Sequence, residues 1–160
     1  RDSVASRGLG DVYKRQMHNP SNEAQVRSLI DSWQQAVMAR DIQRIVSYYA
    51  DDITSFDAVG ALQFKGKAAY REHWEACMQV CPGPGIFEFH QLQVLADEEL
   101  AFAHWLAHCG GTDAEGVTKA CWMRVSAAYQ RRAGQWLVVH EHWSAPFDML
   151  TGTTQFDLQP

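Results

Sequence analysis

Hydrophobic residues in the first half of the chain recur at intervals of three and four, the spacing of one face of an α-helix. The first of these stretches follows a capping segment at Pro20, Ser21 and Asn22. Its apolar positions are Val26, Leu29, Ile30, Trp33 and Val37. Asp41 caps a shorter second helix, and the same spacing predicts a third helix over residues 68–78, before two consecutive Pro-Gly pairs.

From residue 86 onward the hydrophobic period changes to two, which is the period of strands that bury one face. It predicts four long strands, over residues 86–95, 100–109, 117–130 and 136–144. Short turns join them, so we expect antiparallel neighbours. A shorter strand over residues 53–58 precedes the third helix. Helices followed by a run of strands indicate the α+β class, with a curved sheet wrapped over the N-terminal helices.

Composition and charge indicate which kinds of binding partner the chain could have. The 160 residues suit one domain, and 19 acidic against 14 basic residues give a net charge of −5. A nucleic-acid binder usually carries a basic patch or stripe, and the sequence shows none. Its apolar runs are shorter than the ~18 residues of a membrane span. The 6 Trp, 5 Tyr and 7 Phe suit an apolar pocket, so the expected partner is a small apolar organic ligand.

The two ends of the chain lack the patterning of a core. Residues 1–16 have no apolar period and an excess of positive charge, so we expect a non-native or disordered segment there. A mitochondrial presequence is the alternative, which Asp2 and Asp11 disfavour. The predicted domain covers residues 17–148, and a flexible tail is expected over residues 149–160.

The four cysteines indicate a reducing compartment, because no secretory segment precedes them. We therefore expect free thiols and a cytoplasmic protein. His73, Cys77 and Cys81 follow one another at helical spacing and could form a zinc site, but they lack the paired CxxC knuckles of such sites. The sequence has neither a glycine-rich phosphate loop nor a triad order with an activated Ser or Cys, so it predicts no metal and no other cofactor.

Three segments carry a resemblance to a known superfamily. They are residues 49–57 (YADDITSFD), residues 70–74 (YREHW) and residues 124–146, which end in VHEHWSAP. Together they resemble the nuclear transport factor 2-like superfamily, and within it the SnoaL-like, ketosteroid-isomerase-related branch. The resemblance covers residues 21–147 and implies a cystatin-like cone of curved antiparallel sheet closed by helices. It leaves activity open, because isomerases, lyases and non-catalytic association domains share this fold.

The resemblance implies a catalytic role for one carboxylate. In ketosteroid isomerases the general base is an aspartate late on the first strand, and Asp57 stands at that position. Such a carboxylate moves a proton between carbons of a bound enone. Trp33 and Ser126 occupy the places of the tyrosine and the protonated aspartate of the family's oxyanion hole. Indole has no phenol and a serine hydroxyl is a weaker donor than a carboxylic acid, so the usual steroid isomerisation is not expected.

Strand alternation adds further side chains to this pocket. The pairing that the resemblance implies sets Arg124 opposite Glu141 and Trp122 opposite Trp143. The catalytic candidates that then converge are Asp57, His104, Arg124 and Glu141. The ligand-binding candidates are Trp33, Phe102, Trp122, Ser126, Val139 and Trp143.

Each ionisable candidate also has a structural interpretation that the sequence leaves open. Asp57 could cap a turn at the end of its strand, and His104 could be a hydrogen-bonded core histidine. Arg124 and Glu141 could form an ion pair without a catalytic role. Four such groups around one apolar site would nevertheless be typical of a functional site.

The opposite face of the sheet is predicted to pack against a second copy of the chain. On the same register it carries Met123, Val125, Ala127, Tyr129, Val138, His140 and His142. A patch this apolar usually marks an interface, and a twofold homodimer needs only one self-complementary patch. His140 and His142 share a face and could instead bind a metal, although no third ligand is evident. A one-residue slip would turn both histidines inward.

Taken together, the sequence predicts a small-molecule enzyme of isomerase or lyase type that acts on an apolar carbonyl compound. Asp57 would be the base, and Arg124 or His104 would polarise an oxygen. The alternative is a non-catalytic ligand-binding or association domain. An open cavity that holds Asp57 favours chemistry, whereas a filled interior favours assembly.

Overall fold

The computed structural model describes residues 20–160, and the segment 1–16 for which we expected a non-native or disordered state lies outside them. The helices of the described part are α1 (Pro20–Met38), α2 (Ile42–Ser47) and α3 (Lys67–Val80). Asp41 begins α2 as predicted, because its carboxylate accepts a hydrogen bond from the backbone N–H of Arg44 at 3.0 Å. Within residues 20–160 no helix is long and apolar enough to cross a membrane.

Six strands in residues 20–160 form one curved, unclosed sheet. They are β1 (Tyr49–Phe56), β2 (Phe64–Lys65), β3 (Gly85–Ala96), β4 (Leu100–Thr112), β5 (Thr118–Arg132) and β6 (Gln135–Ser144). Their order across the sheet is β2-β1-β6-β5-β4-β3. Neighbours are antiparallel as predicted, except that β1 and β6 run parallel. The α+β class and the wrapped sheet are confirmed, and the long strands end within three residues of the predicted positions.

Helix α1 lies across the concave face of the sheet, mainly over β3. Gln34 donates a hydrogen bond from its side-chain amide to the carbonyl of Phe87 at 2.7 Å, which fixes the helix to that strand. On β4 the residues beneath this layer are Ala101, Ala103, Trp105 and Ala107, all buried. Small side chains leave room for the core rings that cover them, because an interior packs at near-crystalline density.

The alternation of β4 is therefore opposite to the prediction. Phe102 and His104 project from the convex face, and Phe102 is 44% exposed. The pocket placement of both side chains was wrong, because the resemblance assigned the bulky residues of β4 to the interior. The alanines between them occupy it instead.

The hairpin of β5 and β6 pairs three residues away from the predicted register. Arg124 lies opposite Ser144, and Glu141 lies opposite Ala127. An odd shift exchanges the two faces of a strand, since side chains alternate with a period of two. Trp122, Arg124 and Ser126 consequently face outward, and their predicted place in the pocket was wrong. The buried side chains of β5 are Val125, Ala127 and Tyr129.

A β-bulge in β6 explains why the prediction still succeeded for that strand's second half. Tyr129 pairs with Val138 and Ala128 pairs with His140, which leaves Val139 as the extra residue. Val138 and Glu141 are both buried, so the strand changes parity at the bulge. Val139 does not point into the pocket as predicted.

The predicted outer face also needs correction. His140 and His142 lie on the convex side as expected. Met123, Val125 and Tyr129 lie on the concave side, because they follow the shifted register of β5. The convex face instead presents the residues that alternate with them.

The segment after β6 folds back on itself. Phe147 and Thr154 form an antiparallel bridge around a turn, in which the Asp148 carboxylate accepts hydrogen bonds from the backbone N–H groups of Leu150 and Thr151. This turn carries Phe156 to the wall of the cavity described below. Part of the predicted tail, residues 149–160, therefore contacts the domain.

Candidate active site

A large cavity of about 920 Å³ opens between α3, the end of α1 and the concave face of the sheet. Its apolar wall includes Val37, Trp74, Met78, Ile86, Phe87, Met123, Trp143 and Phe156. Asp57 and His73 are two ionisable members of the lining, and their side chains are 14% and 8% exposed. An apolar cavity with a few convergent polar groups is the usual form of a small-molecule site.

Asp57 is held at the end of β1 by three hydrogen-bond donors. The backbone N–H of Val59 donates to its Oδ1 at 3.0 Å, so Asp57 does cap a turn. The hydroxyl of Tyr70 and the Nε2 of His73 lie 3.0 Å and 3.2 Å from its Oδ2. The turn therefore orients the carboxylate toward α3, and Asp57 caps the turn while still lining the cavity.

His73 forms an ion pair with Asp57 inside the cavity. Its ring stacks on Tyr70 with an interplanar angle of 9° and contacts Phe64, with 4.3 Å between ring centroids. Burial lowers the pKa of His73, but hydrogen bonds to Asp57 and Cys77 outweigh that effect and raise the pKa to about 10. The imidazole is thus a cation at neutral pH, placed beside an anionic carboxylate.

Tyr70 connects this pair to a second, deeper carboxyl group. Its hydroxyl contacts Oε1 of Glu141, which also accepts a hydrogen bond from the indole N–H of Trp143 at 3.1 Å. A phenol carries one proton and can donate it to one carboxylate at a time. Tyr70 can therefore donate to only one of the two carboxyl groups it contacts, and the other must carry a proton of its own to bond to the phenol oxygen. The imidazolium of His73 stabilises the negative charge on Asp57. The extra proton belongs on Glu141.

The titration of Glu141 agrees with this count of protons. Its side chain lies in the core, where the residue is 3% exposed. Burial, helped by the negative charge of Asp57, raises the pKa of Glu141 from 4.5 to about 7 although Tyr70 and Trp143 donate to it. Burial and the neighbouring Glu141 also raise the pKa of Tyr70 well above its usual value, so the phenol keeps its proton.

Trp33, predicted to bind the ligand, lies one layer behind the cavity. Its indole N–H donates to the hydroxyl of Tyr49 at 3.1 Å, and the indole of Trp74 donates to the same oxygen at 3.1 Å. Its ring packs on Trp74, Phe87 and Trp143, which line the cavity. Trp33 thus supports the wall and does not form its surface.

The predicted site residues divide between the two faces of the sheet. Asp57, Glu141 and Trp143 come together on the concave side. His104, Arg124 and Ser126 also come together, but around a smaller cavity of about 360 Å³ on the convex side. The predicted convergence of four ionisable groups was therefore wrong for His104 and Arg124. Arg124 forms no ion pair with Glu141, because the sheet separates them.

Sequence reasoning missed the contribution of α3. Tyr70, His73 and Cys77 follow at helical spacing, and their side chains meet on the face that the helix turns toward Asp57. That spacing was visible in the sequence, but we considered His73 only as a zinc ligand. Within residues 20–160 no group of three or more His, Cys, Asp or Glu side chains could hold a metal ion.

The raised pKa of Glu141 predicts a pH-dependent stability. The folded state holds this proton more tightly than the unfolded chain, so its contribution is complete below pH 4.5 and is lost as the pH rises through 7. The loss amounts to about 3 kcal/mol in the free energy of unfolding. Glu141→Gln should abolish this slope in urea melts between pH 4.5 and 6, below the range in which the raised pKa of His73 adds a slope of the same sign, whereas Glu72→Gln on the exposed side of α3 should keep it. An unchanged slope in Glu141→Gln would assign the dependence to another group.

Comparisons with known proteins agree with this architecture. A model of the SnoaL-like domain matches residues 26–148. A crystal structure of a nuclear transport factor 2-like protein of unknown function from Pseudomonas putida KT2440 is 52% identical, with a TM-score of 0.83, and the match covers 89% of this chain and 99% of that one. No curated protein matches the sequence.

More distant structures share the fold alone. A ketosteroid isomerase-like protein from Erwinia carotovora atroseptica is 18% identical with a TM-score of 0.67, over 79% of this chain and 97% of that one. A structure named as a candidate dehydratase of the nuclear transport factor 2-like family, from Streptomyces avermitilis, is 13% identical with a TM-score of 0.68 and the same coverage. The domain match and the Pseudomonas structure show that this chain belongs to the SnoaL-like family within the nuclear transport factor 2-like superfamily.

Proposed function

We propose that this domain binds a small apolar carbonyl compound in the large cavity and transfers a proton on it, as an isomerase or a lyase. The observation that carries the proposal is the position of Asp57, an ion-paired carboxylate that opens into a largely apolar cavity of about 920 Å³. Apolar walls exclude water, and a positioned carboxylate in such surroundings is suited to act as a general base.

Asp57 is the base in this proposal. Its Oδ2 is engaged by Tyr70 and His73, whereas Oδ1 has one donor, Val59, and a second lone pair. That lone pair would accept the proton from a carbon next to the carbonyl group. Asp57 was the sequence's own candidate, and its surroundings support the assignment.

His73 takes the role for which the sequence offered His104 or Arg124. An imidazolium beside the base stabilises the negative charge that develops on the carbonyl oxygen as the proton leaves. The raised pKa of His73 supports this role, since the ring stays cationic at neutral pH. Tyr70 and Glu141 can exchange a proton with Asp57, because a Glu141 pKa of about 7 makes both protonation states of that carboxyl group accessible at neutral pH.

Hydrogen exchange tests the proposal without knowledge of the natural substrate. Saturated cyclic ketones would be incubated with the protein in deuterium oxide, and deuterium next to the carbonyl would be followed by mass spectrometry. Ketones that bind should change the fluorescence of the cavity indoles, Trp74 and Trp143. For those ketones we expect deuterium exchange well above the rate in buffer alone. Ketones that bind without exchange would favour the alternative, a non-catalytic ligand-binding domain. Native mass spectrometry would identify any ligand that co-purifies.

The convex face supports a further proposal, that two copies of the chain pair through it. Its strands expose Phe102 and present Trp122 between His90 and His108, with ring centroids 4.8 Å and 4.9 Å apart. Aromatic and histidine side chains of this kind suit a self-complementary twofold contact of roughly 800 Å² per copy. The free cysteines further support the expected cytoplasmic location.

Sedimentation tests the dimer. We expect the wild-type chain to be a dimer at tens of micromolar and Phe102→Glu to be a monomer, because a carboxylate would be buried at the contact. Leu62→Glu is the control, since Leu62 is also exposed but lies in the loop before β2. A wild-type monomer, or a dimer that Phe102→Glu leaves intact, would contradict this proposal.

A further inference from the structure

The smaller cavity, of about 360 Å³ on the convex side of the sheet, takes no part in the proposed proton transfer. Five polar side chains from three neighbouring strands line it: Gln91 and Gln93 on β3, His104 on β4, and Arg124 and Ser126 on β5. Within residues 20–160 none of these side chains has a hydrogen-bond or ion-pair partner. Their polar atoms are therefore available to a ligand.

The pairing of the strands brings three of these side chains into one row. Gln93 lies opposite His104, and His104 lies opposite Ser126. Directly opposed residues on one face of a sheet have Cβ atoms about 4.5–5.5 Å apart. Arg124 lies two residues from Ser126 on β5, so it projects from the same face, diagonal to His104. A side chain as long as that of arginine reaches its diagonal neighbour, which places the guanidinium beside the row.

A β-bulge in β3 adds the second glutamine to the cavity. The pairing of β3 with β4 changes register between His90 and Gln93. Phe89 and Leu92 both pack against the core, whereas His90 and Gln91 between them are exposed. Gln91 has a φ of 57°, in the left-handed region that few residues other than glycine adopt. In a regular strand Gln91 would share the core face of Phe89, so the bulge is what turns its amide outward.

The chemistry of the lining favours a ligand with one negative charge. Arg124 supplies a permanent positive charge, and none of the described residues that line this cavity is acidic. A guanidinium binds a carboxylate through two parallel hydrogen bonds. One cation matches a monocarboxylate, whereas a phosphate group carries roughly two negative charges at neutral pH. The glutamine amides and the hydroxyl of Ser126 can both donate and accept hydrogen bonds, which is what the hydroxyl groups of a ligand require.

We propose that this cavity binds a small hydroxylated monocarboxylate, with its carboxylate on Arg124 and its hydroxyl groups on Ser126, His104 and the two glutamine amides. Its volume lies within the range of small-molecule sites. The sheet separates it from Asp57, so the inference does not depend on the proposed function. The cavity lies between Phe102 and Trp122, and in the proposed dimer a bound carboxylate would neutralise Arg124 at the contact.

Nuclear magnetic resonance of the isotope-labelled chain, titrated with D-gluconate, tests this proposal. We expect saturable shifts of the side-chain amides of Gln91 and Gln93 and of the backbone amide of Ser126. Sorbitol has the hydroxyl groups without the carboxylate, so it should bind at least about ten-fold more weakly. Arg124→Gln should weaken gluconate binding by about the same factor. Arg44→Gln removes an exposed arginine of α2 and should leave the dissociation constant unchanged.

The spectra also show whether each variant is folded. Gluconate shifts confined to other parts of the chain, equal affinities for gluconate and sorbitol, or wild-type affinity in a folded Arg124→Gln variant would overturn the proposal. Tighter binding of inorganic phosphate than of gluconate would overturn the assignment to a carboxylate. Asp57→Asn should bind gluconate as the wild type does, because Asp57 lines the other cavity. A failure of the proposed function would therefore leave gluconate binding intact.

Discussion

Asp57→Asn should reduce hydrogen exchange on a bound ketone by roughly a thousand-fold, within the range that a positioned general base contributes. The amide has nearly the volume of the carboxylate but no basic lone pair of comparable strength. It can still accept the hydrogen bond from Val59, so the turn after β1 should survive. The rate of deuterium uptake by mass spectrometry gives the effect directly.

A matched control variant separates the loss of the general base from the loss of one negative charge. Asp52→Asn also removes one carboxylate, but Asp52 lies on the exposed side of β1, paired with Arg132. The Asp52→Asn variant should catalyse hydrogen exchange on the ketone at the wild-type rate. Circular dichroism and ligand-induced indole fluorescence should be retained in Asp57→Asn, which shows that the cavity still forms. Full exchange activity in a folded Asp57→Asn variant would remove Asp57 from the proposed mechanism.

Gly110→Ala should unfold or severely destabilise the domain, with a loss of about 3 kcal/mol or more in the free energy of unfolding. Gly110 lies on β4 in the cavity wall. A Cβ at this position would stand 2.0 Å from the carbonyl oxygen of Lys119 and 2.6 Å from the Cα of Ala120. Both atoms belong to the backbone of β5 and cannot move without breaking the pairing of the two strands. Urea melts monitored by circular dichroism would measure the loss.

Gly85→Ala is the appropriate comparison, because it makes the same change on the neighbouring strand β3. A Cβ there would lie 3.5 Å from the carbonyl oxygen of Gly110, an ordinary contact. We expect its free energy of unfolding to stay close to that of the wild-type chain. Equal stability of Gly110→Ala and the wild type would show that β4 and β5 separate more easily than their pairing indicates.

Elements with strong local signals were predictable from the sequence. The period of two placed the long strands, and Asp41 fixed the start of α2 through its own side chain. These features depend on neighbours in the chain, so local sequence carries them. The partial match of β6 had another cause, because the bulge at Val139 restored the predicted parity for Glu141 and Trp143.

The site was predictable only in part. Asp57 was found through the resemblance to ketosteroid isomerases, whose base lies late on the first strand, and Glu141 through the strand pairing that the same resemblance implies. The partners that define their chemistry, Tyr70 and His73, come from α3, and no pattern of spacing tells where a helix docks on a sheet. The helical spacing of these residues was visible in the sequence, but the part of the sheet that they contact was not.

The sequence by itself determined the class of the domain and its elements, because hydrophobic period and turn residues are local properties. It also pointed to one carboxylate of the cavity, Asp57, through the resemblance to ketosteroid isomerases. The tertiary structure alone decided which face of β4 and β5 is buried. A three-residue change in the pairing of β5 with β6 moved Arg124 to the convex side. His104 lies opposite Ser126 on that same side, which leaves the alanines of β4 over the core. Register depends on how two distant strands and the layer above them pack, and one odd step exchanges every side chain between solvent and cavity.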